Sequence, residues 1–482
     1  MKIACVAAAA VVVLLAACGG DDPSSGEAGD TAAADTTGDG TGTGTDAPAS
    51  TSASGSATEG DTGVDAARPD WVHDLAPLMA EHCVSCHSDG GIAPFPLDDY
   101  ENASLWAPAA AAQVAAGLMP PWHAVETDEC APPLPFKHDA RLSADQIDLV
   151  VDWAAAGAPE GDPADAAPLP EPQDLDLADP SGTATMGSAV EVPAAGSTLD
   201  YFHCLSFDPG HTTDVYVDGL QVIPGNRGIV HHVLMFVDEQ ADSANWDGGV
   251  LEDCGGGSGV GSATLVGGWV PGSLPIETPD DVAIRLPVGA RIIFNMHYHN
   301  ASDAAQTDDG TGVALRWSTA LPRYIGSFQL VGAPGAGDMV DAPFMIPAGA
   351  TDHVERLRYE VPDLGVPEIR VFSMTNHMHK VGVDMKVTMT RGADETCMLQ
   401  TPRWDFNWQR QYLYDAAVEE LPEVLPGDVV EVRCTYDNTL ANPGVAEALA
   451  EVGLDAPQDV TLGEGTLDEM CLAGVGIAVR PF

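Results

Sequence analysis

The sequence predicts a mainly β chain preceded by a small all-α domain. Three observations carry that prediction. From about Thr185 onward, short runs alternate apolar and polar residues, as in Val383, Met385, Val387 and Met389, and in Val430, Val432, Cys434 and Tyr436. Period-two alternation marks strands, because successive side chains point to opposite faces of a sheet. Gly, Pro, Asn and Asp recur between the runs and supply turns, the pattern of β-sandwiches. Between Trp71 and about Gly161 the apolar spacing is helical instead. A length of 482 residues fits about three domains at roughly 150 residues each.

The N-terminus reads as an export signal. Lys2 is the charged region, and Ile3 to Ala17 is an apolar stretch too short and too weakly flanked for a stable membrane span. It ends in Leu15-Ala16-Ala17-Cys18-Gly19, which resembles a bacterial lipobox. The resemblance implies cleavage after residue 17 and a lipid on Cys18, so that membrane contact is through the lipid anchor alone. Gly19 in place of Asp points to the outer membrane, with the protein facing the periplasm or the cell exterior. Residues 18–70 are rich in Gly, Ser, Thr, Ala and Asp and lack the apolar surface to offset chain entropy, so they predict a disordered tether. The whole chain sets 19 Lys+Arg against 73 Asp+Glu, a formal charge of −54. Such a balance excludes nucleic acid as a partner and favours solubility.

Residues 71–161 make the helical domain. Leu75, Leu78 and Met79 share a helix face that runs into Cys83-Val84-Ser85-Cys86-His87. Cys-x-x-Cys-His is the attachment signature of a c-type haem. Two thiols bind the haem vinyl groups and the imidazole lies under the iron. Met119, in Gly117-Leu118-Met119-Pro120-Pro121-Trp122, is the candidate second axial ligand, since Met/His ligation raises the potential. His123 and His138 are weaker candidates, and Met79 reads as core. Ser143 and Gln146 form a capping box before Ile147, Val150, Val151 and Ala154, and Gly157 stops that helix. Helix, motif, loops and closing helix resemble a class I cytochrome c domain. Residues 162–184, rich in Pro, Ala and Asp, predict a stiffer linker.

The later histidines come in pairs: His231-His232, His297 and His299, His377 and His379. Positions i and i+2 of a strand face the same way, so His377 and His379 can share a metal ion. His231 and His232 can do so only where the backbone bends or at a strand edge. Imidazole suits copper and zinc alike, but the thioether of Met470 favours copper, above all Cu(I). His73, His82, His203, His211 and His353 read as ordinary core or surface residues.

The ordered set His231-His232-Val233-Leu234-Met235-Phe236, Asn295-Met296-His297-Tyr298-His299-Asn300, His377-Met378-His379 and Asp468-Glu469-Met470-Cys471 resembles the copper type II, ascorbate-dependent monooxygenases. The likeness implies two tandem jelly-roll-like sandwiches, residues 185–322 and 323–482. It implies an electron-transfer copper on His231, His232 and His297, and an oxygen-binding, catalytic copper on His377, His379 and Met470. It implies disulfides Cys434–Cys471 and, less securely matched, Cys204–Cys254, leaving Cys130 with Cys397 by elimination. The implied reaction puts one atom of O2 into an aliphatic C–H bond of a small molecule. The three-imidazole copper would hold one electron and pass it across a cleft to the oxygen-binding copper. Ascorbate is the family's usual donor, and the fused haem motif suggests instead a cytochrome or quinone-linked protein donating through the haem to the two copper ions. Thr375, Leu472 and Gly474 replace polar residues of the peptide-amidating branch, which predicts a neutral or apolar substrate. The competing reading is a non-catalytic haem and copper lipoprotein for electron transfer.

Overall fold

The computed structural model describes residues 68–481 apart from 90, 197, 333–337 and 340–342. The expected signal sequence, Cys18 and nearly all of the tether lie outside the described residues.

Helices come first. A π-turn, Trp71–Leu75, leads into helix Ala76–His82, which ends against Cys83. Helix Ala144–Ala155 starts at the expected capping box, with Ser143 Oγ accepting from the Gln146 N–H and Gln146 Oε1 from the Ser143 N–H. Gly157 follows at φ +87°, a conformation open to glycine, and ends it. Where the sequence predicts loops, residues Tyr100–Ala115 form a further helix capped by Asp99. Its alanines give little apolar periodicity but are the best helix formers. The helices close over Leu75, Met79 and Trp153, with Cys83 and Met119 packed against that cluster. Met79 is core, as expected.

Strands dominate from Gly182 onward. One nine-stranded sheet runs through both predicted β regions. It includes Val215–Ile223 and Val282–Leu286 from the first, and Tyr324–Val331, Leu472–Arg480 and Glu368–His377 from the second. The join is a short parallel pairing, Tyr324 opposite Val282 and Ile325 opposite Ala283. Two five-stranded antiparallel sheets accompany it. One contains Asp200–Phe207, Arg291–His299 and Val230–Asp238; the other contains His353–Glu360, Val429–Tyr436 and Gly382–Arg391. A single contiguous apolar core passes through both regions. A strand reading alone misses helix Pro443–Val452, which Asn442 caps and Gly453 ends at φ +73°.

Among the described residues three disulfides form: Cys130–Cys397, Cys204–Cys254 and Cys434–Cys471. The first fastens the segment after Met119 to strand Asp394–Thr401. Nearby, Trp122 and Ala124 enter the β core, and the Lys137 N–H donates to Leu413 O at 2.8 Å. The bridge spans 267 residues, so it constrains a long loop of the unfolded chain. Replacing Cys130 and Cys397 together by Ser is expected to cost about 2–5 kcal/mol, measured by denaturant unfolding. An unchanged midpoint would show that the tie contributes nothing.

Candidate metal centre

Strand Val230–Asp238 lies beside strand Arg291–His299, with His232 directly opposite His297. The register then slips, so that Tyr298 faces Val230 and His231 is the extra residue. This β-bulge turns two consecutive side chains towards one side, which a regular strand forbids. One nitrogen from each of His231, His232 and His297 lies within 4.8 Å of the others. His231 Nδ1 and His297 Nδ1 each stand 3.2 Å from His232 Nδ1. At that range the nitrogens can share a proton or turn their lone pairs to one cation. Burial holds His231 and His232 well below the usual histidine range, which keeps them in the neutral, ligating form.

Asp200 sets the tautomer. His297 Nε2–H donates to Asp200 Oδ1 at 2.9 Å, which leaves Nδ1 free for a metal. His299 Nδ1 and the Thr466 N–H and hydroxyl also donate to this carboxylate. Burial raises the Asp200 pKa, but those hydrogen bonds outweigh it and hold the carboxyl well below the usual range. His299 therefore supports the cluster from behind.

The second pair uses the opposite nitrogen. Strand Glu368–His377 ends at His377, and His379 lies just beyond it, with ring centroids 5.2 Å apart. His377 Nδ1–H donates to Gln409 Oε1 at 2.5 Å and His379 Nδ1–H to Asp468 O at 3.0 Å. Nε2 of each is left to ligate. Burial lowers His377 to about 4 and His379 to about 3. Strand Leu472–Arg480 pairs with the histidine strand, Leu472 opposite His377, and this pairing brings the Met470 segment alongside. The Met470 N–H donates to Glu469 Oε1 and its carbonyl accepts from the Tyr436 hydroxyl, both at 2.8 Å. The Cys434–Cys471 bridge fixes the next residue.

Residues 351–475 match the model of the copper type II ascorbate-dependent monooxygenase C-terminal domain. The matched stretch holds His377, His379, Met470 and both cysteines of the Cys434–Cys471 bridge. Bovine (Bos taurus) dopamine beta-hydroxylase is 24% identical over 215 residues, 43% of this chain and 32% of its own length. Mouse (Mus musculus) DBH-like monooxygenase protein 2 is 25% identical over 270 residues, 52% of this chain and 38% of its own. The chain spans less than half the length of the curated relatives it matches.

The two imidazole sets stand closer than the expected cleft. The His232 and His377 rings are 5.8 Å apart. Phe406 stacks on His231 at 4.6 Å and lies 5.9 Å from His379. Beside them opens a cavity of about 120 Å³ whose lining includes Asp200, Lys380, Glu447, Glu451 and Glu464. Lys380 Nζ pairs with Glu451 at 2.9 Å and Glu447 at 3.3 Å. The lining thus combines carboxylates, two of them paired with Lys380, with the Phe406 ring and imidazole faces. None of Thr375, Leu472 and Gly474 lines the cavity; Thr375 faces Gly474 across the sheet.

In the helical region, His87 Nδ1–H donates to Phe95 O at 3.0 Å and leaves Nε2 for an iron atom. Among the described cysteines, Cys83 and Cys86 alone are unbridged. Two free thiols beside an oriented imidazole suit covalent haem. His123 is buried, and His138 sits at φ +55°.

The run Asp468-Glu469-Met470-Cys471 gives its second residue no role in the sequence reading. Glu469 is fully buried, and its carboxylate accepts from the backbone N–H groups of His379, Met470 and Val381. It thereby fastens the methionine segment to the histidine turn. Burial pushes it up to about 8 against those donors. Between about pH 4.5 and about 8 the folded chain then binds more protons than the unfolded one, so stability falls as pH rises. In metal-free protein this slope is expected to flatten in Glu469→Gln. An unchanged slope in thermal unfolding across that window would assign it to other groups.

Proposed function

We propose that this chain is a copper-dependent monooxygenase that hydroxylates an aliphatic C–H of a small molecule with O2. Ascorbate, a cytochrome or a quinone-linked protein acts as reductant. The observation that carries the proposal is a contiguous cluster of five imidazoles with two ligation modes. Three nitrogens converge at His231, His232 and His297, and His377 and His379 offer Nε2 beside the Met470 segment. Copper held by His231, His232 and His297 and by His377, His379 and Met470 would supply the two electrons that, with two protons, let one atom of O2 enter the C–H bond and the other leave as water.

The protein's own part is positioning. Asp200, Gln409 and the Asp468 carbonyl fix the ligand tautomers. Phe406 packs against His231 of the first set and lies near His379 of the second, so it fixes one wall beside both. The cavity beside the imidazoles is where a small substrate would sit. Cys83, Cys86, His87 and Met119 would hold a haem c, which supplies a one-electron store on the same chain. Cys18 would carry the lipid that anchors the protein to a bacterial outer membrane.

Protein exported and haem-loaded in a bacterial host is expected to bind two copper ions and one covalent haem. With reductant it should consume O2 in step with hydroxylated product. Zinc in place of copper, or O2 consumption without hydroxylated product across a substrate screen, would refute the enzyme reading.

A further inference from the structure

The carboxylate of Asp200 is shared between the two β regions. Its side chain is 9% exposed. Oδ1 accepts from His297 Nε2–H and His299 Nδ1–H, both at 2.9 Å. Oδ2 accepts from Thr466, from its N–H at 3.0 Å and its hydroxyl at 2.5 Å. A carboxylate with donors on both oxygens cannot turn without breaking hydrogen bonds on both sides. Asp200 opens strand Asp200–Phe207 of the first region, whereas Thr466 lies four residues before Met470 in the second.

Thr466 belongs to a tight turn. The Asp468 N–H donates to Gly465 O at 2.9 Å, and the Gly465 N–H donates back to the Asp468 carboxylate at 3.1 Å. Outside the turn, the Gly463 N–H donates to Glu469 O at 3.2 Å and the Glu469 N–H to Thr461 O at 3.0 Å. A turn closed in this way moves as a unit. It also presents Asp468 O, which accepts from His379 Nδ1–H at 3.0 Å. Hydrogen bonds therefore run from His297 through Asp200 to Thr466, and from Asp468 to His379. One short turn joins the first imidazole set to the second. A further contact supports it: a Cβ on Gly256 would run into the Glu464 carboxylate. Gly256 follows Cys254, which is bridged to Cys204 on the Asp200 strand.

We propose that Asp200 and the turn Gly465–Asp468 form a clasp that aligns both imidazole sets, with Thr466 as the positioning residue that passes the alignment from one β region to the other. This rests on the copper reading above. Thr466 touches no reacting atom. Its hydroxyl and amide fix the turn, the turn fixes the carbonyl that sets the His379 tautomer, and Met470 follows two residues later. The backbone grip of Glu469 lies within the second region. The clasp adds registration against the first.

The test uses the full chain loaded anaerobically with Cu(I). It reads Cu(I) affinity by chelator competition and the copper–sulfur signal by X-ray absorption. Thr466→Val removes the hydroxyl and keeps the amide donor. Copper on the Met470 side is expected to bind about 10–100-fold more weakly, the usual loss for an outer hydrogen-bond partner of a ligand. Its copper–sulfur signal should weaken as well. Thr466→Ser keeps the hydroxyl and should restore both. A valine variant that matches wild type in affinity and sulfur signal, whatever its stability, overturns the clasp. Should that variant fail to fold, amide hydrogen exchange in metal-free wild type decides. The Thr466 and Asp468 amides are expected to open together in one slow event. A Thr466 amide that exchanges freely while the Asp468 amide is protected overturns the clasp. Wild-type protein whose copper has no sulfur neighbour would instead sink the Met470 assignment on which the copper reading stands.

Discussion

Met470→Ala is expected to lower hydroxylation by about a thousandfold while haem content stays at the wild-type level. The thioether is the soft donor that favours Cu(I) in the second imidazole set. Losing roughly 4 kcal/mol of barrier lowering corresponds to that factor. The methionine segment itself should persist. Its backbone is held by Glu469 and the Tyr436 hydroxyl, and its neighbour by the Cys434–Cys471 bridge. The measurement is product formation per O2 consumed, with copper counted in the same sample. Turnover within about threefold of wild type would remove Met470 from the ligand set.

His232→Ala should be nearly as damaging by a different route. Its Nδ1 is the centre of the three-imidazole group, 3.2 Å from both partners, and its ring is the one that approaches His377. The variant is expected to lose one of two copper ions and to fall by about 10²–10³ in steady-state product formation, because one electron of the pair has no store. Stability of the metal-free form should change by no more than about 1 kcal/mol, since the deleted ring is desolvated and faces two others. A large loss of apoprotein stability with copper binding intact would make His232 a structural residue.

The candidate residues were legible because their signals are local, and the structure brings His231, His232 and His297 together. The paired histidines, Met470 and the Cys-x-x-Cys-His run are short motifs of uncommon residue types. The capping box at Ser143 and Gln146 and the alternation at Val383–Met389 are local as well, and the structure keeps both. The bulge at His231 was not legible. It is a property of the pairing with a strand more than sixty positions away, and it decides whether adjacent histidines can converge. Asp200, Gln409 and Glu469 were missed for the same reason. Each orients a histidine turn or ring far away in sequence, and each is a common residue type, two of them among 73 acidic residues. Thr375 and Gly474 stand opposite each other in the sheet and do not line the cavity beside the imidazoles, while Glu447 and Glu451, which do, come from helix Pro443–Val452. That helix is marked by Asn442, Pro443 and Gly453, but a strand-rich context hid it.

The parallel pairing of Tyr324 with Val282 and Ile325 with Ala283 constrains modular engineering of the chain. Severing the polypeptide near residue 322 would not release two self-contained modules. Each fragment would present a raw edge of unsatisfied N–H and C=O groups, an invitation to self-association. A chimera that borrows either half from another protein must therefore import a matching seam, or it will assemble edge to edge with copies of itself.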